Sequence, residues 1–181
     1  MEEIINNNFK ITSILGKNMP LQDVTEKLID QFKGKNVLLW QDMNLYFPTK
    51  RLQLCFGVNL IELLKWHIND FNILIINKLK DSVGVQDSQK FIEFISNYPE
   101  MKNKQVILLL SYFGKDRCDP ISLEDFPNMK DCIEKFSDNI YSITKINWDK
   151  HVIKNLKTQA ETIWESYYDG LKSSLRRKTD E

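Results

Sequence analysis

The chain has 181 residues, with 25 Lys plus Arg, 25 Asp plus Glu and 2 His, so it is neutral overall. That length fits one domain with a single substantial core. Zero net charge removes the bulk electrostatic drive toward nucleic acid, where phosphate neutralisation dominates affinity, while leaving room for a local basic patch.

The first predicted element is a strand, Phe9-Lys10-Ile11-Thr12-Ser13-Ile14-Leu15, closed by Gly16. A helical spacing of Val24, Leu28, Ile29 and Phe32 follows, and Lys33-Gly34-Lys35-Asn36 marks a turn. Val37-Leu38-Leu39-Trp40 predicts a second strand, which Leu45-Tyr46-Phe47 can prolong before Pro48. Arg51-Leu52-Gln53-Leu54-Cys55-Phe56 alternates and predicts a strand antiparallel to Val37–Trp40. Leu60, Leu63, Leu64 and Trp66 predict a helix. Ile73–Ile76 and Val106–Leu110 are near-continuously apolar, as in strands covered on both faces. Between them lie a loop over 80–86 and a helix carrying Phe91, Ile92 and Ile95 that Tyr98-Pro99 ends. A Pro- and Asp-rich loop over 116–128, a short helix with Met129, Ile133 and Phe136, and a last strand, Ile140–Ile143, complete the core. From Asp149 onward the spacing predicts a long amphipathic helix. Strands alternating with helices predict an α/β fold, a mostly parallel sheet flanked by helices in one domain. That domain is expected over 1–169, with a basic tail over 170–181.

The longest apolar runs fall far short of the ~20 residues that cross a bilayer. The start, Met-Glu-Glu, lacks a basic segment followed by an apolar one, which predicts no secretory signal. Three cysteines, Cys55, Cys118 and Cys132, form no C-x-x-C and are odd in number, so a reduced intracellular protein is expected.

The turn after the first strand is where a phosphate loop, G-x-x-x-x-G-K-[ST], would stand. Counted from Gly16, the second glycine is Leu21, the lysine is Gln22 and the hydroxyl residue is Asp23. A phosphate needs small residues for close backbone approach, a lysine charge and a hydroxyl for magnesium. This segment supplies bulk, no charge and a carboxylate. Lys17 does not compensate, because Ile11 and Asn18 stand at the glycine and hydroxyl positions of the shifted frame.

The order of elements resembles a Ras-type small GTPase from Phe9 to about Trp164. Arg51-Leu52-Gln53-Leu54-Cys55-Phe56-Gly57 resembles a third strand entering the D-x-x-G turn, with Gly57 matching and Leu54 in place of the magnesium-linked aspartate. After Val106–Leu110, where N-K-x-D is expected, the chain has Ser111-Tyr112-Phe113-Gly114, so the guanine-reading aspartate is missing. The resemblance implies a pseudoGTPase without cofactor, metal or catalysis. Among such proteins the chain is similar to the centromere protein M family, on Ile11–Gly16 and on the stretch from Phe71 to Cys118. That similarity implies a nuclear, inner-kinetochore protein-binding subunit serving chromosome segregation, bound to centromere protein I with the H and K subunits. The alternatives are a pseudoGTPase adaptor or assembly chaperone in cytoplasmic membrane trafficking, and a divergent GTP-binding protein.

The remaining chemistry-bearing residues have plainer readings. His67 and His151 lack any ligand spacing and are expected on the surface or at helix caps. Ser111 follows a buried strand, yet G-x-S-x-G is absent, so it is expected to be a satisfied hydroxyl rather than a nucleophile. Asp116, Asp119, Glu124 and Asp125 lack an EF-hand pattern. In the terminal stripe, Val152, Leu156 and Ala160 are expected to dock on the sheet. Trp164, Tyr167, Tyr168 and Leu171 continue it beyond the sheet and are the expected partner-binding residues, being the types that anchor interfaces.

Overall fold

A computed structural model describes residues 10–32, 34–41, 44–48, 52–54, 60–79, 85–112, 121–146 and 150–165. In chain order the elements are β1 (Ile11–Lys17), α1 (Asn18–Gln31), β2 (Val37–Gln41), β3 (Asn44–Phe47), β4 (Leu52–Leu54), α2 (Leu60–Trp66), β5 (Ile73–Leu79), α3 (Val85–Asn97), β6 (Gln105–Tyr112), α4 (Lys130–Phe136), β7 (Asn139–Lys145), β8 (Lys150–Asn155) and β9 (Glu161–Glu165). The strands form one sheet in the order β4-β3-β2-β5-β6-β1-β7-β8-β9. Its middle five strands, β2, β5, β6, β1 and β7, are parallel, and an antiparallel pair extends each side. The α/β class with a parallel sheet core is therefore as expected.

The near-continuous apolar runs become central strands because both sheet faces are covered. On one face α1 presents Leu21, Val24, Leu28 and Phe32 to Ile14, Val37, Leu39, Ile73, Ile75, Ile107, Leu109, Tyr141 and Ile143. On the other, Leu63, Leu64, Phe91, Ile92, Ile95 and Ile133 of α2, α3 and α4 cover Ile11, Leu15, Leu38, Leu74, Ile76, Val106, Leu108 and Leu110. The split follows from handedness. The β1–α1–β2 connection runs along the sheet in one direction; the connections through α2, α3 and α4 run in the other. Right-handed crossovers of opposite direction must lie on opposite faces.

The amino ends of the parallel strands, where the helices terminate, are tied by lysines. Lys10 Nζ donates to the carbonyl of Ser96 in the last turn of α3 at 2.5 Å. Lys104 Nζ donates to the Phe71 carbonyl at 2.7 Å. Lys157 Nζ reaches the Ser137 and Asp138 carbonyls beyond α4 at 2.7 and 2.8 Å. A cation at a helix C-terminus meets exposed carbonyls and the negative end of the dipole. Beside them Asp138 accepts from the Ile11 backbone N–H at 2.8 Å.

Two expectations are corrected. The segment Leu45–Phe47 is not a prolongation of β2 but part of a separate strand, so β4 pairs with β3 rather than with β2. The long terminal helix is a hairpin over the described residues 150–165. In β8, His151, Ile153 and Asn155 are buried while Val152 and Lys154 are half-buried, a period of two. The turn that follows is fixed locally. Asn155 Oδ1 accepts from the backbone N–H groups of Lys157 and Thr158 at 2.9 and 3.1 Å, and Gln159 adopts φ 62°. A single left-handed residue cannot sit inside a helix.

Candidate functional site

In an open parallel sheet, ligands bind outside the carboxyl ends of adjacent strands whose connections leave to opposite faces. Here that point lies between β1, whose chain passes to α1, and β6, whose chain passes to the other face. The strands end in register, Gly16 beside Ser111 and Lys17 beside Tyr112. Strand alternation directs Gly16 and Ser111 toward the α1 side, following Ile14 and Leu109.

No residue separates β1 from α1: Lys17 ends the strand and Asn18 begins the helix. Lys17 is the N-cap, extended at φ −78° and ψ 163°, without a side-chain capping bond. A phosphate loop needs several residues of free backbone N–H curled around the anion, and that length is missing. The space is filled instead. A Cβ built on Gly16 would lie 2.5 Å from Ile143 Cγ2 and 3.2 Å from Leu21 Cδ2. Leu21 and Ile143 are both buried. Four residues on, the buried Thr25 hydroxyl donates to the Leu21 carbonyl at 2.8 Å, closing the start of α1 on itself.

The expected site residues separate into groups. Gly16, Leu21 and Ser111 come together at this crevice, and Ser111 is buried, 2% exposed. Gln22 and Asp23 follow Leu21 within α1. Leu54 does not belong with them. It lies on β4, five strand spacings from β1, or about 24 Å at the usual spacing. A magnesium shared by a phosphate-loop hydroxyl and an aspartate requires both within a few ångströms of one ion. Gly57 and Gly114 lie outside the described residues, as do Tyr167, Tyr168 and Leu171.

Trp164 is corrected. It sits on β9 rather than a helix and is 6% exposed. Its ring lies 4.8 Å from that of His151, and Lys27 Nζ of α1 stands 5.3 Å from its centroid. His151 is fully buried in the same cluster, not at the surface as expected. His67 does sit at a helix end, its Nδ1 2.8 Å from Asp70 Oδ2.

Asn77 was missed by the sequence reading. It is 3% exposed near the carboxyl end of β5, two strands from β1, where the β5–β6 register shifts between Ile76 and Leu79. Bulges recur beside functional sites. Its Oδ1 has no hydrogen-bond partner among the described residues. The only signal was a polar residue ending the run Ile73–Ile76. It is an amide, so it brings no carboxylate charge to the crevice.

Elsewhere, a cavity of about 250 Å³ opens between α3 and α4, lined by Gln89, Glu93, Asp131, Cys132, Lys135 and Phe136. The Cys132 thiol is pushed above its ordinary pKa, first by burial and then by Glu93, with Lys135 opposing. A raised thiol is a poor nucleophile. Cys55 and Cys118 lie outside the described residues. Among the described residues no three His, Cys, Asp or Glu side chains group to hold a metal, and no helix is long and apolar enough to cross a membrane.

No family model matches the chain, and no curated protein matches it.

Proposed function

We propose that this chain is a non-catalytic, nucleotide-free α/β protein that works by binding other proteins. One observation carries the reading: at the switch point of the sheet, Leu21 and Ile143 occupy the volume beside Gly16, with no connecting residue between β1 and α1. Binding to the native state alone raises stability by RT ln(1 + [L]/Kd). Millimolar GTP, GDP or ATP with magnesium is therefore expected to leave the melting temperature unchanged. A reproducible rise of several degrees with one nucleotide overturns the proposal.

The finer proposal is a small-GTPase-like pseudoGTPase of the inner kinetochore, similar to centromere protein M and held by centromere protein I with the H and K subunits. It rests on the sequence resemblance. Of its two landmarks, β1–α1 supports the proposal, whereas the distance of Leu54 from β1 weighs against the D-x-x-G equivalence. Affinity purification from dividing cells, with partners identified by mass spectrometry, tests it directly. Recovery of centromere protein I supports it. Recovery of coat or trafficking proteins instead favours the adaptor alternative.

A further inference from the structure

The β8–β9 hairpin displays on its inner side the kind of strand that β9 accepts. In register, Lys150 stands opposite Glu165, Val152 opposite Ile163 and Lys154 opposite Glu161. The pattern Lys-x-Val-x-Lys thus lies against Glu-x-Ile-x-Glu. Lys154 Nζ is 3.4 Å from Glu161 Oε1. Opposite charges and paired β-branched residues directly across two strands are the favourable cross-strand pairs.

Among the described residues, no strand pairs with the outer side of β9. Edge strands are ordinarily protected by shortness, by charged side chains, lysine above all, by proline, by bulges or by a covering element, and of these β9 has its five-residue length and its two glutamates. Glu161-Thr162-Ile163-Trp164-Glu165 contains no lysine and no proline, and its register with β8 runs without a break. Its central residue, Ile163, is 66% exposed. Strand alternation sets Ile163 on the face opposite the buried Trp164, away from α1. Ile146, just past β7, is 57% exposed and pairs its backbone N–H with the Lys150 carbonyl, close to the same strands.

We propose that the outer edge of β9 is a docking strand for an extended segment of a partner protein. That segment carries an aliphatic residue with Lys or Arg two positions to either side, and it adds a tenth strand to the sheet. Main-chain hydrogen bonds supply the affinity of such strand addition, and alternate side chains supply its selectivity. The acidic residues disfavour a second copy as occupant. An antiparallel β9–β9 pair centred on Ile163 sets residue 161 of one copy opposite residue 165 of the other, glutamate against glutamate, and like charges directly opposite are destabilising. The proposal rests on the reading of the chain as a protein-binding subunit and names the chemistry of the partner.

The test uses the full chain and two fluorescent ten-residue peptides built on an alternating core, one Lys-x-Val-x-Lys and the other Glu-x-Val-x-Glu. Anisotropy is expected to show the lysine peptide binding at least tenfold more tightly. Ile163→Lys is expected to weaken it at least tenfold, and Ile163→Val to keep it, with circular dichroism unchanged in both because the side chain is exposed. Glu161→Lys is expected to shift preference toward the glutamate peptide. Three results overturn the proposal: no binding of the lysine peptide at millimolar concentration, equal binding of both peptides, or a wild-type dimer that Ile163→Lys converts to monomer. The last makes a second copy the occupant. Each of these leaves the melting temperature with nucleotide untouched, so failure of the edge and failure of the underlying reading are distinguishable.

Discussion

The two ends of the parallel sheet are built from opposite materials. At the amino end, Lys10 reaches a carbonyl in the last turn of α3, Lys104 and Lys157 reach carbonyls beyond α2 and α4, and Asp138 ties the start of β7 to the Ile11 N–H. At the carboxyl end, beside Gly16, the contacts are those of a core: Leu21 and Ile143 in van der Waals range of the strand. In a ligand-binding α/β protein the carboxyl end carries the polar groups and the free volume. Beside Gly16, among the described residues, packing takes the volume such a ligand would need. Substitutions at this point are expected to cost stability.

The largest effect is expected at Trp164, which extends the packed side past β7. Trp164→Ala removes a buried indole tilted against the His151 ring, and losses of ~3–5 kcal/mol accompany such truncations. For a chain of this size that corresponds to a melting shift of roughly 6–20 °C. A variant that stays fully stable while losing a partner restores Trp164 to an interface role.

Gly16→Ala comes next. Its added methyl meets Ile143 Cγ2, and overpacking of this kind costs ~1–3 kcal/mol. Ile143→Ala in the same chain is expected to recover much of that loss, read as a coupling of ~1 kcal/mol or more in a double-mutant cycle by urea unfolding. Additive losses show that the crevice is looser than its distances imply.

The amino end yields the smallest effect. Lys104→Met deletes one hydrogen bond to Phe71 and is expected to cost ~0.5–1.5 kcal/mol at pH 7. Burial lowers the pKa of Lys104 from 10.5. Between that lowered value and 10.5 the unfolded chain binds more protons at this position, so the site's contribution to stability rises with pH across that window. The difference between wild type and Lys104→Met, followed from pH 8 to 11, is expected to drift in that direction. A flat difference removes desolvation as the cause.

The middle of the fold was legible because β5 and β6 announce themselves as apolar runs too continuous for a half-exposed strand. The helical stripe Val24, Leu28, Ile29 and Phe32 was equally plain, whereas Leu21, read as part of a loop, joins it only in the structure. The β8–β9 hairpin was not. Its inward positions include His151 and Asn155, both polar, so hydropathy hides the alternation. Val152, Leu156, Ile163 and Trp164 meanwhile fall at spacings that mimic a helix. Deciding between them required the Asn155 turn and the left-handed Gln159, a conformation no residue type other than glycine signals strongly. That Leu21, Gln22 and Asp23 stand where a phosphate loop would need glycine, lysine and a hydroxyl was readable in the sequence. The distance of Leu54 from β1 was not, because strand order across a sheet is a long-range property that spacing along the chain does not encode.

The placement of β1 between β6 and β7 has a consequence for how the molecule is made. The Ile11 N–H bonds a carboxylate 127 positions later in the chain. Translation at 5–20 residues per second takes roughly 6–25 s to cover that distance. Throughout that interval at least one flank of β1 lacks its partner, because β6 begins at Gln105 and β7 only at Asn139, and the fold cannot close around it. Pairings so distant in sequence also form slowly, since the chain must surrender loop entropy before any contact rewards it. The nascent protein thus spends seconds with an edge of β1 unpaired.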